Sequence, residues 1–162
     1  MIEYITGDAT EPIVKPAIIA HVCNDIGGWG RGFVLALSKK YPLAEEGYRK
    51  WFESPNEFGL KPKLGNIQLV SVNTQIIVAN MIAQQGTKVV DGVPPIRYGS
   101  LKRCLGSVHY QASNNNCTIH MPRIGSGLAK GKWNIIEECI KESCPSVKVY
   151  VYTLPGQEHL FK

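Results

Sequence analysis

Short apolar runs alternate with amphipathic stretches along the whole chain. Ile2 to Thr6 reads as a first strand. Ile18-Ile19-Ala20-His21-Val22 is almost wholly apolar, as expected of a strand covered on both faces. From Gly32 to Lys40, Phe33, Ala36, Leu37 and Lys40 fall at helical spacing. Pro42 suits the first turn of another helix, running through Tyr48 to Phe52. Ile67 to Val72 and Ile76 to Ile82 read as two strands joined by the turn Asn73-Thr74-Gln75. Leu101, Cys104, Leu105, Val108 and Ala112 make one helical stripe. Thr118 to Met121 reads as a buried strand. Trp133, Ile136, Ile140 and Cys144 make a further stripe that Pro145 stops, and Val147 to Thr153 is a last strand. Strands separated by helices predict an α/β fold with a largely parallel sheet and helices on both faces. The tight turn after Val72 adds an antiparallel pair, so the sheet is expected to be mixed. No repeat, low-complexity tract or linker interrupts the pattern, and residues 1–162 read as one domain. The loop Gln84 to Pro95 and the tail after Leu154 are the expected mobile parts.

Composition narrows the class. The chain carries 18 Lys and Arg against 13 Asp and Glu, a formal charge of +5, which favours anionic partners. A mildly basic surface would account for that excess equally well. No interleaved aromatic and basic patch supports nucleic-acid binding. The five cysteines are odd in number and include no Cys-x-x-Cys, so neither a disulfide framework nor a zinc site is suggested. Reduced thiols fit a cytoplasmic location. Met1-Ile2-Glu3-Tyr4 does not read as a signal peptide, and no apolar run approaches membrane-spanning length.

Two loops carry the candidate chemistry. Ligands of open α/β sheets bind beyond the carboxyl ends of the strands. After the second strand comes Cys23-Asn24-Asp25-Ile26-Gly27-Gly28-Trp29-Gly30-Arg31-Gly32, leading into a helix. Its glycines let backbone amides approach a ligand, and the helix start adds partial positive charge. It lacks the Gly-Lys-Ser/Thr ending of a P-loop and the Rossmann glycine spacing. A tight strand-to-helix turn is the plainer explanation. The second loop, Gly125-Ser126-Gly127-Leu128-Ala129-Lys130-Gly131, also leads into a helix. Together the two suit a diphosphate better than either alone. Arg123, Lys130 and Lys132 are nearby cations, or simply solvated ones. Asp8 suits an exocyclic base amine or an ordinary turn. Tyr152 suits a stacked base or the core. His21 and His120 invite acid–base chemistry, although buried, satisfied histidines are commoner. No third ligand accompanies them, so no metal site is expected. Nothing marks Cys23 as activated.

These loops, in this order, resemble the macrodomain family. The resemblance rests on Gly7-Asp8, His21-Val22-Cys23-Asn24, Gly28-Trp29-Gly30-Arg31-Gly32, Met121-Pro122-Arg123-Ile124-Gly125-Ser126-Gly127-Leu128 and Val151-Tyr152-Thr153-Leu154. It looks nearest to the branch of ADP-ribose 1''-phosphate phosphatases and terminal ADP-ribose protein glycohydrolases. The resemblance implies a three-layer α/β/α fold and ADP-ribose, or a derivative, as ligand. An ADP-ribosylated protein is a further partner it allows. It assigns Asp8 to the adenine amine, with Ala9 beside it. Asn24, Gly28, Trp29, Gly30, Arg31 and Gly32 fall to the distal ribose and diphosphate. Gly125, Ser126, Gly127, Leu128 and Ala129 would hold the diphosphate from the other side, and Tyr152 to Leu154 would flank the adenine. No cofactor or metal is implied. This chain departs from the glycohydrolases at their catalytic pair: Ala129 stands in place of the loop aspartate, and Gln84 or Gln85 in place of the lysine. Removal of a distal-ribose phosphate or ester fits better, with Asn24 orienting the ribose and Asp25 or His21 positioning water, and His120 as a further candidate. A binding module without turnover is the competing expectation.

Overall fold

The computed structural model describes residues 1–57 and 59–161. Six strands form one sheet: β1 (Ile2–Thr6), β2 (Ala17–Asn24), β3 (Ile67–Ser71), β4 (Ile76–Gln84), β5 (Thr118–Pro122) and β6 (Val149–Thr153). Their order across the sheet is β1-β6-β5-β2-β4-β3. All neighbours run parallel except β3 and β4, the expected antiparallel pair, in register from Ile67 opposite Met81 to Ser71 opposite Ile77. Asn73 shapes the turn between them, its Oδ1 accepting the Gln75 N–H at 2.8 Å.

The side-chain alternation of β2 divides the core. Ile18 and Ala20 face α3 (Tyr98–Asn114) and α4 (Trp133–Ser143), and meet Leu101, Leu105, Ile136 and Ile140. Ile19 and Cys23 face α1 (Phe33–Lys40) and α2 (Pro42–Glu53), and meet Leu37, Tyr48 and Trp51. The sheet is therefore covered on both sides, in three layers, as its continuous apolar run requires. A short 3-10 helix, Glu158–Phe161, follows β6. Among the described residues, no helix is long and apolar enough to cross a membrane.

Several boundaries differ from the sequence reading by one or two residues, and two of these shifts position the site. Helix α1 starts at Phe33 rather than Gly32, because Gly32 takes φ 77° and ψ −144°, a conformation hostile to any side chain. Strand β4 runs two residues past its apolar run to Gln84, which pairs with Asn24 of β2 after a shift in register at Cys23. The two central strands thus end together, and their loops leave from one place.

Candidate functional site: a cationic cleft between two glycine loops

A cleft of about 730 Å³ opens at the carboxyl ends of β2, β4 and β5. That volume suits a nucleotide-sized ligand. The end of β2 and the first glycine loop form one wall, and the second glycine loop forms the opposite wall. Residues Gln84, Thr87 and Lys88 close a third side. The loops meet where Leu128 Cδ1 lies 3.3 Å from the place a Cβ on Gly32 would occupy.

Helix α1 begins at the cleft with no side-chain cap. The lining includes Phe33 and Val34, whose first-turn amides have no intrahelical acceptor and favour an anion. The second loop folds onto itself. Gly131 N–H donates to the Gly125 carbonyl at 2.7 Å, and a Cβ at Gly131 would sit 2.6 Å from that oxygen. The Ser126 hydroxyl donates to the Arg123 carbonyl at 2.7 Å. Arg31, Lys88, Arg123 and Lys130 all line the cleft, and no carboxylate does among the described residues. The net field in the cleft is positive.

Of the three residues singled out for catalysis, Asn24 and His21 line the cleft and Asp25 does not, and all three make internal hydrogen bonds. Asn24 braces the first loop. Its Oδ1 accepts the N–H groups of Ile26 at 3.1 Å and Gly28 at 2.9 Å, and its Nδ2 donates to the Gly28 carbonyl at 3.0 Å. The Tyr48 hydroxyl donates to the Asn24 carbonyl at 2.8 Å and so ties the loop to α2. Asp25 is outside the cleft lining, and its Oδ1 accepts the Gly86 N–H at 2.8 Å. That bond draws the chain after β4 toward the first loop, next to Thr87 and Lys88. His21 is buried, with its Nε2–H donated to Asn80 Oδ1 at 2.5 Å and its ring edge-on to Trp29. Burial lowers its pKa to about 4, so it is neutral near pH 7.

Cys23 lies 3.8 Å from His21 Nε2 and 3.9 Å from Asn80 Oδ1, a thiol–imidazole–amide trio. Burial pushes the thiol well up and the imidazole down. Both are neutral, and no thiolate forms to act as a nucleophile. His120 is also buried. The Tyr152 hydroxyl accepts the Ile13 N–H at 3.1 Å and donates to His120 Nδ1 at 2.7 Å. The His120 Nε2–H is then left for Thr118 Oγ1, at 2.7 Å. Desolvation lowers this imidazole to about 4 as well. His120 is a satisfied core histidine, and Tyr152 is a core tyrosine whose ring is not presented for stacking.

Of the expected ligand contacts, Asn24, Gly28, Trp29, Gly30, Arg31, Gly32, Gly125, Gly127, Leu128 and Ala129 line the cleft. Asp8, Ala9, Ser126, Tyr152 and Leu154 lie outside its lining. Asp8 caps its own turn, with Oδ1 accepting both the N–H and the hydroxyl of Thr10 at 2.8 Å. Sequence reasoning did not place Thr87, Phe33 and Val34 in the site, and it left Arg123 open as a solvated cation. Gln84 and Ala129 both face the cleft, which therefore has neither amine nor carboxylate at those points.

Comparison with known proteins identifies the family. None of the protein-family models matches the chain. The structure of a macrodomain protein from Streptomyces coelicolor is 41% identical, with a TM-score of 0.82, covering 94% of this chain and 99% of that one. A Bacteroides thetaiotaomicron protein of unknown function is 48% identical with a TM-score of 0.88, covering 94% and 97%. The Candida albicans ADP-ribose 1''-phosphate phosphatase is 28% identical over 160 residues, 88% of this chain and 93% of that protein. The chain also aligns at 29% identity with the zebrafish chromodomain-helicase-DNA-binding protein 1-like, of which it spans only 16%. With the Streptomyces protein alike over nearly its full length, and two glycine loops closing one cleft in a six-stranded mixed sheet, this chain belongs to the macrodomain family.

Proposed function

We propose that the protein binds ADP-ribose and hydrolyses a phosphate or ester group from its distal ribose. One observation carries the binding half: Arg31, Lys88 and Lys130 line the cleft beside an uncapped helix start, with no carboxylate opposing them among the described residues. A diphosphate is the ligand that such a lining neutralises. The kinship to proteins named ADP-ribose 1''-phosphate phosphatase supports the second half.

For the phosphate ester, water adds to phosphorus as the bond to the C1'' oxygen breaks. The water's proton passes to the departing ribose oxygen, giving ADP-ribose and inorganic phosphate. Asp25 is turned to Gly86, and His21, although it lines the cleft, is bonded to Asn80 and held neutral by burial, so neither is assigned the role of base. Rate enhancement then comes from charge neutralisation by Arg31, Lys88 and Lys130, and from a ribose held still by the braced first loop. Asn24 contributes through that loop.

A second reading has its own support. The internal engagement of Asn24, Asp25 and His21 suits recognition without turnover. One panel separates the two. The protein is incubated with ADP-ribose 1''-phosphate, O-acetyl-ADP-ribose and glutamate-linked ADP-ribosyl protein, while calorimetry follows ADP-ribose. Release of phosphate, acetate or free ADP-ribose establishes the enzyme. Binding heat without release establishes the module, and no heat at millimolar ADP-ribose rejects both.

A further inference from the structure

Residues 94–98 lead into α3, and none of them is in the cleft lining. They are nevertheless tied to two of its walls. Toward the third wall, Ile96 forms a β-bridge with Gln84, and the Pro95 carbonyl accepts the Gln85 N–H at 2.8 Å. Toward the second glycine loop, the Ile96 N–H donates to the Ala129 carbonyl at 3.2 Å. Ile96 Cδ1 also lies 2.9 Å from the place a Cβ on Gly125 would occupy, so its side chain seats directly against the loop backbone. Just beyond the loop, the Tyr98 hydroxyl accepts the Lys132 N–H at 3.0 Å.

Arg97 holds this strut in shape. Pro94 and Pro95 have no N–H, so the turn lacks backbone donors of its own. The guanidinium supplies them. Its Nη1 donates to the Pro94 carbonyl and lies 3.2 Å from that of Pro95 and 3.0 Å from that of Ile96. Its Nε donates to Gln85 Oε1 at 3.2 Å, on the chain that continues to Thr87 and Lys88. Arg97 forms no salt bridge among the described residues. Its charge is spent on these neutral acceptors, and bonds from an ionised donor are the stronger kind.

We propose that Arg97 is a positioning residue of the cleft. Through Gln85 and Ile96 it holds the third wall and the second glycine loop at one separation, and Tyr98 pins the end of that loop. The consequence for ligand affinity rests on the ADP-ribose reading above, whereas the ordering of the loop does not.

The test pairs calorimetric titration with ADP-ribose and native-state hydrogen exchange, both on the full chain. Arg97→Met keeps an aliphatic stem without the donors and should bind ADP-ribose about tenfold more weakly. The Lys130 and Gly131 amides, bonded to the Gly127 and Gly125 carbonyls, should exchange about tenfold faster, with β2 amides as in the wild type. Tyr98→Phe removes one hydroxyl and should weaken binding about twofold to fivefold, with faster exchange confined to the same loop. Wild-type affinity in a folded Arg97→Met, or exchange that quickens equally in β2, overturns the positioning role. If Arg97→Met unfolds, Tyr98→Phe decides, and unaltered affinity and loop exchange in that variant overturn the proposal. Failure of the wild type itself to bind ADP-ribose overturns the underlying reading instead, and loop exchange alone then decides the strut.

Discussion

Replacing Asn24 by alanine tests whether that side chain shapes the first loop or acts on the reacting atoms. The substitution deletes three hydrogen bonds, from Ile26 N–H, Gly28 N–H and to the Gly28 carbonyl, together with the weaker arm at 3.2 Å of a Tyr48 hydroxyl that keeps the Asn24 carbonyl. At about 0.5–1.5 kcal/mol net for each, the loss lies at roughly 1.5–4.5 kcal/mol. Ile26 and Gly28 are exposed, so water can take over their amides, and the lower part of that range, about 2 kcal/mol, is expected. For a chain of this size that lowers the melting temperature by roughly 4–8 °C. The loop would lose the contact with the amide that fixes Gly28, where a Cβ would come within 2.9 Å of Asn24 Nδ2. ADP-ribose affinity and any turnover should therefore fall together, by at least about tenfold. Asn24→Asp keeps the acceptor for both amides but adds a negative charge to a cleft that has none among the described residues. Stability should mostly return in that variant while affinity stays low. Denaturant unfolding and calorimetry on both variants give the answer. A folded Asn24→Ala protein with unaltered stability and affinity, but without turnover, would refute the bracing role and make Asn24 a chemical participant.

Three further outcomes follow from other parts of the structure. A Cβ at Gly127 meets nothing within 4 Å, so Gly127→Glu should fold, place a carboxylate in the cleft and abolish ADP-ribose binding; unchanged affinity would remove the second loop from the phosphate contacts. Asp8→Ala should weaken ADP-ribose more than ribose 5-phosphate, beyond the stability lost with its two bonds to Thr10, and equal losses would make Asp8 purely a turn residue. His21 and His120, both lowered from 6.5 to about 4 by burial, stay neutral in the folded chain while the unfolded chain binds protons. Stability should be full above about pH 6.5 and fall as pH drops toward 4, by up to ~1.4 kcal/mol per pH unit for each group, and a flat melting temperature between pH 7 and 4.5 would contradict the burial of both rings.

The fold was legible because its elements obey simple periodicities. The run from Ile18 to Val22 is apolar at every position but one because both faces of β2 are covered, and the stripes of α3 and α4 follow their buried faces. The glycine loops were legible because close backbone approach leaves a compositional trace. Side-chain direction leaves none. Nothing in the sequence tells whether Asn24 points into the cleft or back onto Gly28. The aim of Asp25 at Gly86, across 61 residues of sequence, is equally invisible. The entry of Thr87 into the site depends on that same distant bond. The rings of Tyr4, Trp133 and Phe161 meet around the Arg123 guanidinium, a gathering that no local window contains.

The sheet order carries a consequence for how the molecule assembles. Strand β1 has a single neighbour, β6, and the register from Ile2 opposite Val149 to Thr6 opposite Thr153 joins the earliest strand to the latest. During synthesis the other four strands and both helical layers can pair while β1 has nothing to join. The pairing that does form closes a very long loop, the slowest kind of contact to make. The turn bearing Asp8 and the ring of Tyr4 therefore reach their places only after β6 has docked. In native-state hydrogen exchange, the amides of β1 should open at lower free energy than those of β2, which is hydrogen-bonded on both sides. The two glycine loops would then stand assembled on β2 and β5 before the first strand closes the sheet.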